Sequence, residues 1–355
     1  MNDDIFSIVV IFIDLNTLKK IRLVSKKKCE IATNEKNTVF VYVQQDHEHT
    51  INIPNYITKL ILDDVSNTDL RSLSNSIKYL RLHYMFNEPV DNLPNSLTHL
   101  MFGWYFNKSV DNLPINLKHL TFGVEFDQSV DHLPNNLKYL EFGHSFNQSI
   151  DNLPDSITHL ILGHCFNREV KKYPKSLKHL KMSFYYNKQI KNLPNTLTHL
   201  DCGYLFNANI DRLPDNLEHL ILCSDIIYLL NNNIIPKKLK KLTFRYTFNE
   251  DTFSKNNIHK SAIMGMSSLR YLIFCDTYNN HVDNLPPNIT HLIFGDSFNK
   301  SIDDIPDSII YLKLGYEFNK KITKLPKSLR TLVCKQTFNF DNLQTINENI
   351  KIIVE

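Results

Sequence analysis

The sequence predicts a repeat solenoid of parallel β-strands with a short irregular convex side and a small α-helical segment at its N terminus. An aromatic residue recurs at intervals of 20, at Phe106, Phe126, Phe146, Phe166, Tyr186 and Phe206. Proline recurs at the same interval of 20, at Pro94, Pro114, Pro134, Pro154, Pro174, Pro194 and Pro214. The first 36 residues lack this repeat. A fixed period over so long a stretch is the signature of a solenoid.

The composition argues against several classes of protein. Apolar residues make up 42% of the 355 residues and charged residues 22%, as in folded soluble proteins. The formal net charge of +3 gives no electrostatic argument for binding nucleic acid or an anionic membrane. The apolar run at 8–13 is too short to span a bilayer, and Asp3 and Asp4 precede it where a signal peptide would be basic. An intracellular, cytoplasmic protein is expected.

The cysteines indicate the same compartment. Six are present, at Cys29, Cys165, Cys202, Cys223, Cys275 and Cys334. They show no paired spacing and no CxxC motif, so they favour single buried thiols in a reducing environment over a disulfide framework.

The first 36 residues are predicted to form two or three short helices. Ile5, Val9 and Phe12 fall on one face at helical spacing, and Leu18 and Ile21 begin a second apolar face. So short a segment cannot hold a core of its own. It is expected to dock on the solenoid, on a partner, or on both.

From Met1 to Ala32 the residues follow one motif without a gap. Val9–Asp14 (VVIFID) is an aliphatic run that ends in an acidic residue, and Leu18–Lys27 reads LKKIRLVSKK. This stretch resembles the F-box, the helical module that binds the Skp1-type adaptor of cullin-based ubiquitin ligases, although Met1-Asn2 replaces its opening Leu-Pro and its usual tryptophan is missing. The resemblance implies a Skp1-like adaptor as partner, contacted by Ile5, Val9, Phe12, Leu18, Ile21, Leu23 and Val24. The alternative is an amphipathic cap that shields the first repeat.

Residues 37–50 are predicted to supply the first strand and a linker, because Thr38, Phe40 and Tyr42 alternate and a polar run follows. The solenoid then spans 51–355 in about fifteen units of twenty residues, with an insertion near 251–265. Regular units open at Leu93, Leu113, Leu133, Leu153, Tyr173, Leu193 and Leu213 and, after the insertion, at Leu285, Ile305 and Leu325.

Within a unit, the LxxLxF segment is predicted to form the strand. In the unit that opens at Leu93, Leu100 and Phe102 alternate inward, while His99 and Met101 point outward. This segment resembles the strand of a leucine-rich repeat. A glycine follows, where a turn or a close backbone approach favours it. The Leu-Pro pair gives an extended return, since proline restricts its own φ and biases its predecessor.

A Phe-Asn pair comes next in most units, as in Phe106-Asn107, Phe146-Asn147 and Phe298-Asn299. The phenylalanine is predicted to stack into an aromatic spine, and the asparagine to satisfy backbone groups at a turn. Over about residues 51–343 these units resemble the FNIP repeat, a relative of the leucine-rich repeat. Such repeats often follow an F-box, and the same order is found here.

The outward positions are the candidates for recognition. We predict a target-binding face made of His99, Met101, Trp104, His119, His144, His159, His164, Phe184, Tyr204, Tyr246 and Tyr316. Exposed apolar patches usually mark binding sites, although cover by neighbouring turns would make the residues after the glycine structural. The recurring strand histidines favour a ladder of stacked rings over a metal site, because parallel strands place them in a line rather than a tetrahedron.

The sequence contains no motif for catalysis. It has no Ser/His/Asp order, nucleophile elbow, phosphate loop or HExxH, and Asp111 and Asp131 recur as turn caps. We therefore predict a protein that is not an enzyme and has no cofactor or metal. The expected function is the substrate-recognition subunit of a Skp1–cullin-type ubiquitin ligase, whose solenoid binds an unidentified target protein and neither nucleic acid nor membrane. The alternative is a plain repeat scaffold with no link to ubiquitin.

Overall fold

The computed structural model describes residues 30–34, 37–42, 57–62, 70–222, 236–245, 265–343 and 348–355. Within them, 17 strands form one sheet. The first are β1 (Glu30–Asn34), β2 (Asn37–Tyr42), β3 (Lys59–Leu62), β4 (Tyr79–Arg81), β5 (His99–Met101), β6 (His119–Thr121), β7 (Tyr139–Glu141), β8 (His159–Ile161) and β9 (His179–Lys181). The others are β10 (His199–Asp201), β11 (His219–Leu222), β12 (Lys241–Phe244), β13 (Tyr271–Ile273), β14 (His291–Ile293), β15 (Tyr311–Lys313), β16 (Thr331–Cys334) and β17 (Lys351–Val354). The helical turns of these stretches are 3-10, at Leu70–Ser72 and Phe340–Asn342.

The strands pair in chain order. β1 is antiparallel to β2, and each later strand is parallel to the one before it. His99 lies opposite His119 and Leu100 opposite Leu120, so each repeat position stacks on its equivalent in the next unit. The predicted parallel β-solenoid is therefore confirmed, with almost no helix in the described residues.

The predicted N-terminal helical segment is not supported. Helix was expected as far as residue 36, but Glu30–Asn34 forms β1 and pairs with β2 so that Asn34 lies opposite Asn37. The sequence explains this outcome, because Ile31 and Thr33 are β-branched and favour strands, while asparagine favours the turn that joins them. Residues 1–29 lie outside the described stretches.

The apolar positions of the unit are buried as predicted. Leu97, Leu100 and Phe102 are at most 4% exposed, and Phe106 is fully buried. The ring centroid of Phe106 lies 3.8 Å from that of Phe102 and 6.1 Å from that of Phe126. The same stack includes Phe86, Phe146, Phe166, Tyr186 and Phe206 and, further along, Tyr278, Phe298, Phe318 and Phe338. This aromatic spine joins the units into one elongated core.

The glycine after the strand is explained by the close approach of neighbouring units. A Cβ on Gly123 would lie 1.8 Å from the carbonyl oxygen of Gly103, and a Cβ on Gly163 would lie 1.6 Å from that of Gly143. Both distances are far shorter than a van der Waals contact, so a side chain at Gly123 or Gly163 requires the neighbouring backbone to move. Ser183 occupies the same repeat position and is buried, which shows that such a shift can be accommodated in one unit.

The asparagine after the spine ring links successive units. Oδ1 of Asn107 accepts the backbone N–H of Asp127 at 3.0 Å, and a carboxylate oxygen of Asp127 accepts that of Asn147 at 2.8 Å. Equivalent bonds join Asn147, Asn167, Asn187 and Asn207. The structure confirms the predicted role of this asparagine, which is to satisfy backbone groups at a turn. The backbone N–H that it accepts belongs to the next unit.

The described cysteines carry thiols rather than disulfides. Cys202, Cys275 and Cys334 are buried and Cys165 is half-buried. In the described stretches, the search for a helix long and apolar enough to cross a bilayer found none.

Candidate interaction face

The first strand position carries a ring in most units. We call these residues the ring row: Tyr79, His99, His119, Tyr139, His159, His179, His199, His219, Tyr271, His291 and Tyr311. Alternation along the strand directs Leu100 inward, where it is buried, and leaves His99 and Met101 half-buried on the outer face of the sheet. The ring row therefore runs along the outer face, one residue per strand.

Rings in this row stack on one another. The centroids of His99 and His119 lie 4.2 Å apart with planes inclined by 6°. His159 and His179 have the same separation of 4.2 Å, and His179 and His199 lie 4.1 Å apart. The predicted ladder of stacked rings is present, and in these three pairs each ring covers the face of its neighbour.

A threonine fixes the ring orientation in several units. Oγ1 of Thr98 lies 3.1 Å from the carbonyl oxygen of Lys78 and 2.8 Å from Nδ1 of His99. A hydroxyl has one proton and a carbonyl can only accept, so the threonine donates to Lys78 and His99 Nδ1–H donates to the threonine. The same pairs form at Thr158–His159, Thr198–His199 and Thr290–His291. In these rings Nε2 is left as the acceptor nitrogen.

The histidines of the ring row favour the neutral form. Burial is the largest cause, followed by neighbouring histidines, and together they lower the pKa of His99 and His199 to about 4 and that of His179 to about 3. Burial and then the charge of Lys118 lower the pKa of His119 as well. These four histidines are therefore uncharged at neutral pH.

A second row follows the glycine position. We call it the turn row: Trp104, Val124, His144, His164, Phe184, Tyr204 and, much further along, Tyr316. Ring centroids lie 5.0 Å apart for His144–His164, 5.7 Å for His164–Phe184 and 4.7 Å for Phe184–Tyr204. Trp104 is 54% exposed, and Val124 separates it from this ladder. Tyr316 is exposed in the unit of β15, far from Tyr204 in the unit of β10.

Some predicted site residues lie outside the described stretches. Tyr246 of the proposed target-binding face is one of them. The proposed adaptor-binding residues are the others: Ile5, Val9, Phe12, Leu18, Ile21, Leu23 and Val24.

Two exposed groups were missed by the sequence prediction. Tyr84, Met85 and Tyr105 are about half-exposed and extend the turn row beside Trp104. The other group, which we call the lysine row, consists of the exposed lysines one residue before β4, β6, β7 and β9: Lys78, Lys118, Lys138 and Lys178. The signal for this row was available in the sequence, since these lysines share one repeat position.

The FNIP repeat family model matches the sequence at residues 66–103, 86–123, 106–143, 126–165, 166–204, 206–247, 278–304 and 298–333. These overlapping segments cover more than half of the chain. The chain belongs to the FNIP repeat family. No curated protein matches the sequence.

Two solved structures are similar to this FNIP chain. CroV588, described as a novel circular LRR protein structure, is 30% identical with a TM-score of 0.55. The match covers 85% of this chain and 57% of that one, so this chain spans little more than half of the relative's length. YopM from Yersinia enterocolitica WA-314 is 17% identical with a TM-score of 0.39, over 89% of this chain and 91% of that one. The likeness to CroV588 shows that the FNIP solenoid is of the leucine-rich-repeat type.

The outer face of the FNIP solenoid offers rings, lysines and a few apolar side chains along a continuous sheet. Among the described residues, no group of three or more His, Cys, Asp or Glu side chains could hold a metal ion. In the ring row, the hydroxyl of Tyr139 donates a hydrogen bond to a carboxylate oxygen of Glu141 at 2.8 Å. The arrangement provides a long surface of contact residues, which is suited to protein interaction.

Proposed function

We propose that this FNIP protein is a non-catalytic adaptor that binds a target protein with the outer face of its solenoid. One observation carries the proposal: the ring row and the turn row run side by side over the same strands, with Trp104, Tyr84 and Tyr105 about half-exposed. Large rings that remain exposed beside one another typically mark an interface. The binding residues are the described members of the target-binding face, from His99 to Tyr316.

Site-specific photocrosslinking in cells tests this role. A photoreactive phenylalanine analogue is placed at His119 or His144 on the outer face, and at Lys108, which is exposed in the turns, as a matched control. We expect one discrete crosslinked partner from both outer positions and none from position 108. Equal crosslinking from all three positions, or none from any of them, contradicts the proposal.

We further propose that the first residues attach this adaptor to a ubiquitin ligase through a Skp1-like subunit. The support is the F-box resemblance of Met1–Ala32 and its position before FNIP repeats. A plain scaffold with an N-terminal cap is the competing function. Because β1 begins at Glu30, the informative deletion removes residues 1–29 and leaves the strand intact.

The test measures binding of a purified Skp1-type adaptor to three forms of the protein. They are the full chain, the chain without residues 1–29, and the full chain with Leu18→Asp and Ile21→Asp. We expect binding by the full chain alone. The link to a ubiquitin ligase is rejected if the double variant and the deletion still bind the adaptor, or if the full chain does not bind it. The plain scaffold is then the remaining function.

A further inference from the structure

We infer that the outer face of β4 to β9 binds an acidic, extended segment of the target protein that runs along the ring row and places its carboxylates at the lysine row. This inference rests on the proposed function and specifies the chemistry of its partner. It is carried by the distribution of charge on these strands, which the small net charge of the whole chain conceals.

The outer face of β4 to β9 is strongly basic. Over the strands and the residue before each, basic side chains occur at Lys78, Arg81, Lys118, Lys138, Lys178 and Lys181, and Glu141 is the one carboxylate. That carboxylate already accepts a hydrogen bond from Tyr139. The whole chain, in contrast, has 40 basic and 37 acidic residues. Positive charge is therefore concentrated on the face that carries the rings.

The lysine row is not neutralised within the described residues. Among the residues that the structure describes, none forms an ion pair with Lys78, Lys118, Lys138 or Lys178. Lys118 and Lys138 precede adjacent strands, about 4.8 Å apart, where like charges repel. An external anion would remove this repulsion.

Several lysines in the turns of the same solenoid are paired. Nζ of Lys175 lies 3.1 Å and Nζ of Lys172 lies 3.5 Å from carboxylate oxygens of Asp155. Lys324 and Lys327 flank Asp307 in the equivalent arrangement, each at 3.5 Å. The repeat can thus place a carboxylate beside its lysines, and it also does so one residue before β12, where Lys240 pairs with Glu218 at 2.8 Å. In the described residues it does not do so along the lysine row of β4 to β9.

The ring geometry favours a peptide over single-stranded nucleic acid. Bases bind by stacking on exposed ring faces. Two pairs in the ring row, His99–His119 and His159–His179, stack at 4.2 Å and therefore present ring edges rather than faces. At a ring edge with an acceptor Nε2, this nitrogen can accept an N–H group of a peptide. The ammonium groups of the neighbouring lysines can donate to the peptide's carboxylates.

The dimensions set the length of the bound segment. Six strands from β4 to β9 span about 24 Å across the sheet at roughly 4.8 Å per strand. An extended peptide covers this distance with about seven residues. Because lysines occupy four of the six positions, several carboxylates could be paired at once.

Fluorescence anisotropy with labelled decaglutamate tests the inference on the full chain at low salt. We expect decaglutamate to bind, labelled decalysine not to bind, and added salt to weaken binding through screening. Replacing Lys78, Lys118, Lys138 and Lys178 by glutamate should weaken binding by at least about tenfold. Replacing the same lysines by glutamine, which adds no repulsion, should weaken it less but clearly. Circular dichroism confirms that each variant is folded.

The matched control reverses four exposed lysines in the turns, Lys108, Lys188, Lys320 and Lys321, and should retain binding. The inference is overturned if decaglutamate does not bind, if the control loses as much affinity as the lysine-row variants, or if a thymidine decanucleotide binds more tightly than decaglutamate. Photocrosslinking from His119 distinguishes the two proposals. A crosslinked partner without peptide binding removes only the acidic-segment inference, whereas loss of both also removes the proposed function.

Discussion

At the scale of single residues, the asparagine column shows which chemical property the repeat selects. Asn167 bonds in both directions: its N–H donates to Oδ1 of Asn147 at 3.0 Å, and its own Oδ1 accepts the N–H of Asn187 at 3.0 Å. Asp127 performs the same task one unit before Asn147, although its carboxylate cannot donate. The position therefore requires a side-chain oxygen acceptor of this length rather than an amide as such.

Two substitutions at Asn167 separate these requirements. Asn167→Ala removes the acceptor of the exposed Asn187 N–H and should lower the free energy of unfolding by about 0.5–1.5 kcal/mol. Asn167→Asp keeps the acceptor and should cost less than about 1 kcal/mol. Urea unfolding followed by circular dichroism measures both. The explanation is wrong if aspartate is as damaging as alanine.

The glycine column gives a steric prediction. The Cβ of Gly123→Ala would lie 1.8 Å from the backbone oxygen and 2.5 Å from the carbonyl carbon of Gly103. Backbone atoms cannot rotate away as a side chain can, so the two units must separate, at a cost of at least about 2 kcal/mol. Thermal unfolding should show a clearly lower Tm than for Lys108→Ala, an exposed control on the same solenoid. Equal Tm values would mean that the units are not held this closely.

At the scale of elements, the ring row couples the stability of the sheet to pH. Histidines in the unfolded chain have a pKa of about 6.5, whereas burial lowers the pKa of His179 to about 3 and of His199 to about 4 in the fold. The unfolded state therefore takes up more protons as the pH falls below about 6.5. The stability that the lowered histidine pKa values contribute is therefore fully present above that pH and is lost progressively as the pH falls towards 4.

Tyrosine is a suitable test residue because Tyr139 already occupies this row. A variant with His159, His179 and His199 replaced by tyrosine should be about as stable as the unchanged chain near pH 8. Between about pH 6.5 and 5 it should lose less stability, since three titrating groups are gone and most carboxylates are still ionised. Urea unfolding at these pH values measures the difference. Identical pH dependence in the two proteins would contradict the assigned pKa shifts.

The elements also show what the sequence could and could not predict. Period-two alternation and the period of twenty place Leu100 and Phe106 inside and His99 outside, because every unit repeats the same local physics. β1 was missed because Ile31 and Thr33 occur once, next to apolar residues at helical spacing, and a single short strand has no repeat to identify it. The lysine row was missed for a different reason. Its significance depends on the absence of nearby carboxylates, which is a property of packing between units and not of any one unit.

At the scale of the whole molecule, one ion pair joins two units that are not adjacent. Nη2 of Arg245, after β12, donates to Asp201 of β10 at 2.7 Å and thus crosses β11. Asp201 is 5% exposed and also accepts the N–H of Gly203 at 3.1 Å. Burial raises the pKa of this carboxyl despite the opposing effect of Arg245. Burial affects the pKa of this carboxyl more than Arg245 does. The main consequence of the pair is therefore that removing one partner would leave the other charge uncompensated, which would destabilise the fold.

Arg245→Met therefore tests whether the solenoid unfolds as one unit. It leaves the Asp201 carboxylate without its cation and should lower stability by about 2–4 kcal/mol, whereas Arg245→Met with Asp201→Asn should cost less than the sum of the single changes. The stability of a solenoid is the sum of the stabilities of its units and of their interfaces. Weakening this junction should therefore uncouple the strands before β11 from those after it.

Two probes of unfolding test this expectation. Trp104, the one tryptophan of the sequence, reports the first part by fluorescence, while circular dichroism reports both. We expect the two urea transitions to coincide in the unchanged chain and in the control Arg212→Met, whose partner Asp215 is 75% exposed, and to separate in Arg245→Met. Coincident transitions in Arg245→Met would show that the stacked units alone maintain cooperativity across β10 to β12.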